Sequence, residues 1–331
     1  MLKRILLILL PACYLISINN ALADYIVISD AMSIKNYNFS GLSIPDTTGT
    51  SSNDASGTAY QYSSHYSDTL GGSIELTING TLLGDGKTYA TSNPGVGIQY
   101  TLHLASTTGM TPSTDIREPP YRYTITSHTT PALVISGNSV NIWYRLVRLH
   151  DFVPAGVLTS VPDVTLTIKN PDGEGVPMNS GTVLSGIGGQ PKLVACNINA
   201  PTEIKLSPLY GNSLQNGAQN VLQAPQITLT NCPGAINGIS YNFSAVYGTH
   251  NAANGVLNTV TGDGYAKNVY VQIQNADGSA HIVNGSIPLS NYDGSGDYAI
   301  PDFKVAYFID DANTVTAGKV KTAIELKVTY N

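Results

Sequence analysis

Residues 323–330 read AIELKVTY, and this stretch decides the fold of the C-terminal part of the chain. Apolar and polar residues alternate along it, which predicts a β-strand with one apolar face. That face carries Ile324, Leu326, Val328 and Tyr330. The chain is expected to end inside this strand, because only Asn331 follows it, and so to leave an apolar pairing edge. We expect another polypeptide to cover that edge.

The N-terminal residues are typical of a secretory signal peptide. Lys3 and Arg4 supply positive charge, residues 5–18 are largely apolar, and residues 21–23 (ALA) fit a cleavage site. The apolar run is too short to span a bilayer comfortably, and no second run of about 20 apolar residues follows it. Residues 1–23 are therefore predicted to be removed from an exported, soluble protein.

Two cysteines remain after this cleavage. Removal of the signal peptide takes away Cys13 and leaves Cys196 and Cys232, which are 232 − 196 = 36 positions apart. An even number of cysteines in an oxidising compartment favours a disulfide over a metal site or a nucleophile. We predict that these two cysteines form a disulfide bond.

The composition favours an all-β protein. Only 11% of the residues are charged, while the chain contains 32 Gly and 20 Tyr. Much glycine and tyrosine with few charges is typical of short strands joined by turns. The formal net charge of −6 provides no basic surface, so nucleic acid is not an expected partner.

The pattern along the chain predicts two β-sandwich domains. Turn sequences such as Asn79-Gly80 and Asp277-Gly278 separate short alternating runs. These runs lie at residues 73–78, 97–104, 121–126, 140–149, 164–168, 227–230 and 269–273. A Gly- and Pro-rich segment between residues 170 and 192 marks the boundary. We predict an N-terminal domain at residues 24–189 and a C-terminal domain at residues 190–331.

The C-terminal domain resembles the pilin domain of fimbrial subunits that the chaperone–usher pathway assembles. Cys196 opens the domain, and residues 227–232 (ITLTNC) form a strand that ends at the second cysteine. Residues 266–273 (AKNVYVQI) are similar to a strand that is typical of the family, with Asn268 where glycine is usual. The resemblance covers roughly the last 140 residues as an ordered set.

This resemblance implies an immunoglobulin-like sandwich that lacks its final strand. A periplasmic chaperone would donate a strand to the groove beside the residue 323–330 strand, and the adjacent pilus subunit would later replace it. The outer-membrane usher would be a further partner, and the protein would be exported through the periplasm. The groove would be lined by Ile324, Leu326, Val328 and Tyr330.

The N-terminal domain is similar to the adhesin domains of two-domain tip adhesins, most of all to the type 3 fimbrial adhesin. The similarity lies in residues 87–100, 144–148 and 153–158. A strand-donating subunit would have a short alternating segment just before its cysteine, whereas here roughly 170 residues separate Asp24 from Cys196. The resemblance therefore implies a subunit at the fimbrium tip.

Two aromatic clusters are candidate receptor-binding sites. Tyrosine offers a rigid apolar ring and a hydroxyl group, which suits contact with sugars or protein surfaces. The first cluster contains Tyr60, Tyr62, His65 and Tyr66, and the second contains Tyr121, Arg122 and Tyr123. The alternative is that these tyrosines are ordinary strand residues with one packed face. We interpret Trp143 as a core residue.

The sequence contains no recognisable metal or catalytic motif, so we expect a protein without cofactor or enzymatic activity. Four histidines lie in the N-terminal domain, but none is close in sequence to another: His65, His103, His128 and His150. Their spacing favours individual hydrogen-bonded histidines over a zinc site. There is no Gly-x-Ser-x-Gly elbow, phosphate loop or His-Glu-x-x-His.

The sequence thus predicts a fimbrial tip adhesin that attaches bacteria to a glycan or matrix-protein receptor. One alternative is a structural tip or adaptor subunit whose first domain caps the fibre without binding a receptor. Another is a secreted β-sandwich hydrolase, which would require two carboxylates or a triad in a cleft.

Overall fold

The computed structural model describes residues 26–28, 31–65, 72–105, 113–124, 134–169 and 179–331, and within them the chain is almost entirely β-structure. The prediction of an all-β protein is confirmed. Three 3₁₀ turns are the helical elements of this described part, at Gly211–Ser213, Ala252–Asn254 and Ala312–Thr314. None of its helices is long and apolar enough to cross a membrane.

The N-terminal part forms two packed sheets, which we call the first sandwich. One sheet has the order β1-β3-β9-β6-β5, with β7 also paired to β6, and the other has the order β2-β11-β10-β4-β8. The strands are β1 (Ile26–Ile28), β2 (Lys35–Asn38), β3 (Ala55–His65), β4 (Ser73–Asn79), β5 (Tyr89–Ala90), β6 (Val96–Ala105), β7 (Thr114–Ile116), β8 (Arg122–Thr124), β9 (Val134–Arg148), β10 (Asp163–Lys169) and β11 (Asn179–Gly189).

Strict alternation of side chains builds the core of the first sandwich. On β9, Val140, Ile142 and Tyr144 are buried in that core, whereas Asn141 and Trp143 face away from it. A tyrosine is tolerated inside where its hydroxyl group finds a partner. The Tyr144 hydroxyl, for example, donates to the carbonyl of Asn38 (3.1 Å) and accepts from its amide (2.8 Å).

The C-terminal part forms three further sheets around a separate core, which we call the second sandwich. The sheet orders are β12-β14-β20, β13-β21-β18-β17-β16 and β19-β15-β22. The strands are β12 (Asn197–Asn199), β13 (Gly217–Gln223), β14 (Thr228–Cys232), β15 (Ile239–Ala245), β16 (Thr249–Asn251), β17 (Val256–Leu257), β18 (Tyr270–Asn275), β19 (Ile287–Pro288), β20 (Gly296–Ala299), β21 (Phe303–Ile309) and β22 (Ile324–Tyr330).

A loop of the first sandwich is hydrogen bonded directly to the second. The amide of Ser295 donates to the carbonyl of Val153 (2.8 Å), and the amide of Ala235 donates to the carbonyl of Pro154 (2.8 Å). Gly234 allows this approach, because a Cβ there would lie 2.1 Å from the Val153 carbonyl oxygen. Backbone contacts, rather than a tether alone, therefore join the two sandwiches.

Candidate strand-acceptor groove

Strand β22 lies at the edge of its sheet. It pairs antiparallel with β15 along its whole length, from Ile239 opposite Tyr330 to Ala245 opposite Ile324. No other strand among the described residues pairs with β22, so its second edge is open in this structure. Such an edge presents backbone N–H and C=O groups that can pair with an added strand.

The apolar side of β22 is packed against the second core without being fully covered. The exposure of residues along the strand alternates strictly between half-buried and exposed. The half-buried residues that contact the core are Ile324, Leu326, Val328 and Tyr330. The sequence placed these four side chains on one face, and they share that face in the structure. Their role in accepting a strand remains a proposal.

A second apolar row borders the same core, and the sequence analysis did not select it. Residues 200–210 carry no strand assignment. Within this segment Ile204 and Leu206 are half-buried against the second core, whereas Glu203 and Lys205 are exposed. The alternation in Glu203-Ile204-Lys205-Leu206 is visible in the sequence and could have identified it. No backbone hydrogen bond joins this segment to β22 among the described residues.

We call the open edge of β22, together with the half-buried side chains of β22 and of residues 200–210 that border the same core, the acceptor groove. One end is held by a hydrogen bond from the Cys196 amide to the Tyr330 hydroxyl (2.8 Å). Beyond Tyr330, the Asn331 carbonyl accepts from the Asn237 amide (2.7 Å). The last strand and the beginning of the second sandwich are thus fixed relative to each other at this end of the groove.

The predicted disulfide is present. Cys196 and Cys232 are bonded, and both are buried in the second core. The bond connects the residue before β12 with the last residue of β14, which is the strand that pairs with β12. It therefore anchors the start of the segment that borders the groove.

A buried histidine lies in the aromatic core beside β15. His281 is 4% exposed and lies close to the rings of Tyr241, Phe243 and Phe303. Its Nδ1 is hydrogen bonded to Asn275 Oδ1 (2.7 Å), while its buried Nε2 has no hydrogen-bond partner among the described residues. Burial lowers the pKa of His281 below its ordinary value of 6.5, because the charged form is poorly solvated.

We therefore expect the second sandwich to lose stability in weak acid. Below pH 6.5 the unfolded chain takes up a proton that the folded chain, with its lowered His281 pKa, does not. The free energy of unfolding should thus decrease as the pH falls from 7.5 to 5.5. Denaturant titrations followed by circular dichroism would measure this dependence. In the His281→Gln variant the free energy of unfolding should depend less steeply on pH. An equal slope in both proteins would contradict the assignment of this dependence to His281.

The structure buries three of the tyrosines predicted to bind a receptor. Tyr60, Tyr62 and Tyr121 are 3%, 1% and 2% exposed and belong to the first core. The Tyr60 hydroxyl donates to the carbonyl of Ser33 (3.0 Å). Side chains in this position cannot contact a receptor in the structure as it stands, so the alternative interpretation as packed strand residues fits them better.

The other predicted receptor residues have different positions. Arg122 is exposed and Tyr123 is half-buried on β8, at the edge of its sheet. His65 is the last residue of β3, and nothing is described of its side chain. Tyr66 lies outside the described residues. Three members of the two clusters thus lie in the core, and a receptor-binding role for the other four stays a prediction.

The outer face of the first sandwich holds a different group of aromatic and charged side chains. Trp143, which the sequence analysis assigned to the core, is half-buried on this face, and its ring stacks on that of His103 at a centroid distance of 4.2 Å. His103 Nδ1 is 2.6 Å from Asp115 Oδ1. The hydrogen bond from His103, followed by that from Arg117, lowers the pKa of Asp115.

The described histidines do not assemble a metal site. No group of three His, Cys, Asp or Glu side chains that could hold a metal ion occurs within the described ranges. His103 has a single carboxylate partner, Asp115, and His250 has one, Asp310 (2.6 Å). His128 lies outside these ranges, so the expectation about zinc stays a prediction.

Part of the chain matches the model of a known protein family. Residues 180–331 match the family model described as fimbrial protein. No curated protein matches the chain significantly. The match begins within β11 and includes the disulfide, residues 200–210 and β22.

Among solved structures, the chain is similar to the CupB6 tip adhesin from Pseudomonas aeruginosa, with 18% identity and a TM-score of 0.40 over 85% of this chain and 88% of that one. It is also similar to a chaperone-usher pilus structure (20% identity, TM-score 0.31, 49% and 98% covered). A third similarity is to the receptor-binding domain of the adhesin MrkD1P of Klebsiella pneumoniae (14% identity, TM-score 0.26, 51% and 91% covered). The family model thus matches residues 180–331, which include the whole second sandwich.

Proposed function

We propose that this protein is a fimbrial tip adhesin whose second sandwich is completed by a strand from another chain. The observation that carries the proposal is the open edge of β22 beside a row of half-buried apolar side chains. A periplasmic chaperone would supply the strand first, and the adjacent pilus subunit would supply it after passage through the outer-membrane usher. The family match of residues 180–331 supports this assignment.

The acceptor groove provides both kinds of interaction that strand addition requires. The free edge of β22 can form a ladder of backbone hydrogen bonds, which supplies affinity. The half-buried side chains of the groove can contact alternate residues of the incoming strand, which would fix its register. Leu326 on β22 and Leu206 both contact the second core, so an apolar residue packed against these side chains would extend that core.

The segment just before Cys196 supports a position at the tip. In a strand-donating subunit this segment would be a free alternating extension. Here β11 precedes it and is paired with β10 and β2 inside the first sandwich. We therefore propose domains at residues 24–189 and 190–331. The first would bind the receptor and the second would connect it to the fibre at the cell surface.

A synthetic donor peptide tests the proposal directly. The full chain is mixed with a peptide of alternating apolar and polar residues, and separately with a control peptide of the same composition whose alternation is scrambled. We expect the alternating peptide to bind and to raise the unfolding temperature of the second sandwich, because binding to the folded state stabilises it by mass action. Equal effects of the two peptides would contradict strand addition.

The competing function is a structural tip subunit that binds no receptor, and an adhesion experiment distinguishes it from an adhesin. If the protein only caps the fibre, fimbriae should assemble normally and the peptide should still bind. Bacteria carrying these fimbriae would then adhere no better to glycan- or matrix-coated surfaces than bacteria without them. Receptor-dependent adhesion that requires the first sandwich would support the adhesin.

A further inference from the structure

The outer face of the β3-β9-β6-β7 region carries a group of side chains that we call the Trp143 patch. It consists of Asp54, Gln99, Thr101, His103, Asp115, Arg117, Asn141, Trp143 and Arg145. Paired strand positions place these groups side by side, with His103 opposite Asn141 on β9 and opposite Asp115 on β7. Trp143 is opposite Thr101, and Arg145 is opposite Gln99. The alternate residues of the same strands face the core, so the patch faces outward.

An ion pair crosses the patch. Arg117 follows β7, and Asp54 precedes β3, which lies on the far side of β6 and β9. The Arg117 guanidinium is 2.9 Å from Asp115 Oδ2 and 3.4 Å from Asp54 Oδ2. One cation is therefore held between carboxylates from opposite sides of the patch.

Two polar residues, Gln99 and Thr101, form the buried floor of the patch. Gln99 and Thr101 are 5% and 2% exposed although they belong to the outward face. Gln99 donates to the Thr88 hydroxyl (2.7 Å) and accepts from Arg145 Nε (2.9 Å). These contacts fix the rotamers of the floor, and such pre-organisation lowers the entropy cost of binding.

We propose that the Trp143 patch binds a neutral saccharide. This inference rests on the proposed adhesin function and identifies the ligand class of its first sandwich. The half-buried indole offers apolar ring surface to the C–H groups of a sugar, while the surrounding carboxylates, guanidinium groups and amides match its hydroxyl groups. His103 apart, the two carboxylates and the two guanidinium groups cancel, so the charge of the patch favours a neutral ligand over an anionic or cationic one.

The patch differs from a typical protein-binding surface. Such surfaces have a desolvated apolar centre surrounded by a polar rim. Here charged groups lie next to the only tryptophan of the chain, and none of the nine residues that define the patch is aliphatic. We therefore argue for a saccharide rather than a matrix protein.

The single tryptophan makes the test specific, because Trp143 fluorescence reports this patch alone. The full chain, with and without a tryptophan-free donor peptide, is titrated with lactose, with oligosaccharides that end in mannose or N-acetylglucosamine, and with sialyllactose. We expect a saturable fluorescence change with at least one neutral saccharide. If lactose binds, sialyllactose should bind at least tenfold more weakly.

A matched pair of variants provides the control. Asp115→Asn removes a carboxylate that is 34% exposed and paired with Arg117, and it should weaken binding at least tenfold. Glu75→Gln removes a carboxylate that is 29% exposed and paired with Lys169 on the other sheet, and it should change binding less than twofold. A larger effect of Glu75→Gln than of Asp115→Asn would overturn the assignment.

The remaining outcomes separate this inference from the adhesin function. Fimbria-dependent adhesion that survives Trp143→Phe and Asp115→Asn would overturn the patch and leave the adhesin function intact. Binding to a matrix protein that depends on Trp143, without a response to any saccharide, would overturn the ligand class. Failure of the donor peptide to bind would instead contradict the proposed function.

Discussion

Replacing Leu326 by aspartate is expected to abolish recovery of the protein with its periplasmic chaperone. Leu326 lies in the middle of β22, opposite Phe243 on β15, and contacts the second core. When a donated strand closes the groove, a carboxylate at this position would be buried without a cationic partner. Such burial costs several kcal/mol or forces the carboxyl group to take up a proton.

The size of this penalty predicts a nearly complete loss of the complex with the chaperone. Each 1.4 kcal/mol corresponds to a tenfold change in a binding constant, so a cost of about 3–4 kcal/mol would weaken strand binding by roughly two to three orders of magnitude. Co-purification with the chaperone after expression in the periplasm is the measurement, and the protein that remains free should be degraded or aggregated.

Lys327→Asp is the matched control. Lys327 is the next residue, is exposed, and is paired only with exposed Glu325 (3.6 Å). Surface pairs of this kind contribute little to stability, so recovery of this variant should remain close to that of the wild type. Equal recovery of Leu326→Asp and the wild type would show that the chaperone binds elsewhere, and the fimbrial proposal would lose its main physical support.

The sequence was most informative where a structural feature depends on local periodicity. The alternation in residues 323–330 placed Ile324, Leu326, Val328 and Tyr330 on one side of β22, where the structure has them. The pairing of the two cysteines followed from their number and compartment, and the structure contains the bond.

The candidate receptor surface could not be predicted in this way. Alternation shows that Tyr60 and Tyr62 share a face, but it does not show whether that face is the inner or the outer one. The structure places them in the core and places Trp143 outside, because Ile142 and Tyr144 fill the inner face of β9. Which face of a strand becomes buried depends on where the second sheet packs, and a local sequence pattern carries no information about that.

Contacts between residues that are distant in sequence could not be predicted from the sequence either. Asp54 and Arg117, which flank β3 and β7, come into contact only through the arrangement of these strands in one sheet. The apolar row at residues 204 and 206 was missed for a related reason. The alternation at residues 203–206 spans too few residues to be distinguished from a loop before its contact with the second core is known.

The last prediction concerns the disulfide, whose removal should destabilise the second sandwich alone. Cys196 and Cys232 are 36 positions apart, and closing a loop of this length contributes about 4 kcal/mol in the chain-entropy model. The double variant Cys196→Ser, Cys232→Ser should lower the free energy of unfolding of the peptide-complemented second sandwich by a similar amount. It should also weaken donor binding, because Cys196 holds the start of the groove wall and its amide donates to the Tyr330 hydroxyl.

The two sandwiches can be observed separately in one denaturant titration. Trp143 belongs to the first sandwich and is the only tryptophan, so its fluorescence follows the unfolding of that sandwich. Circular dichroism follows the unfolding of both. We expect the transition seen by dichroism to shift to lower denaturant in the double variant, while the fluorescence transition stays unchanged. A shift of both transitions by the same amount would show that the sandwiches unfold as one cooperative unit and would contradict the proposed division at residue 189. No shift of either transition would mean that the bond does not contribute to the stability of the folded state.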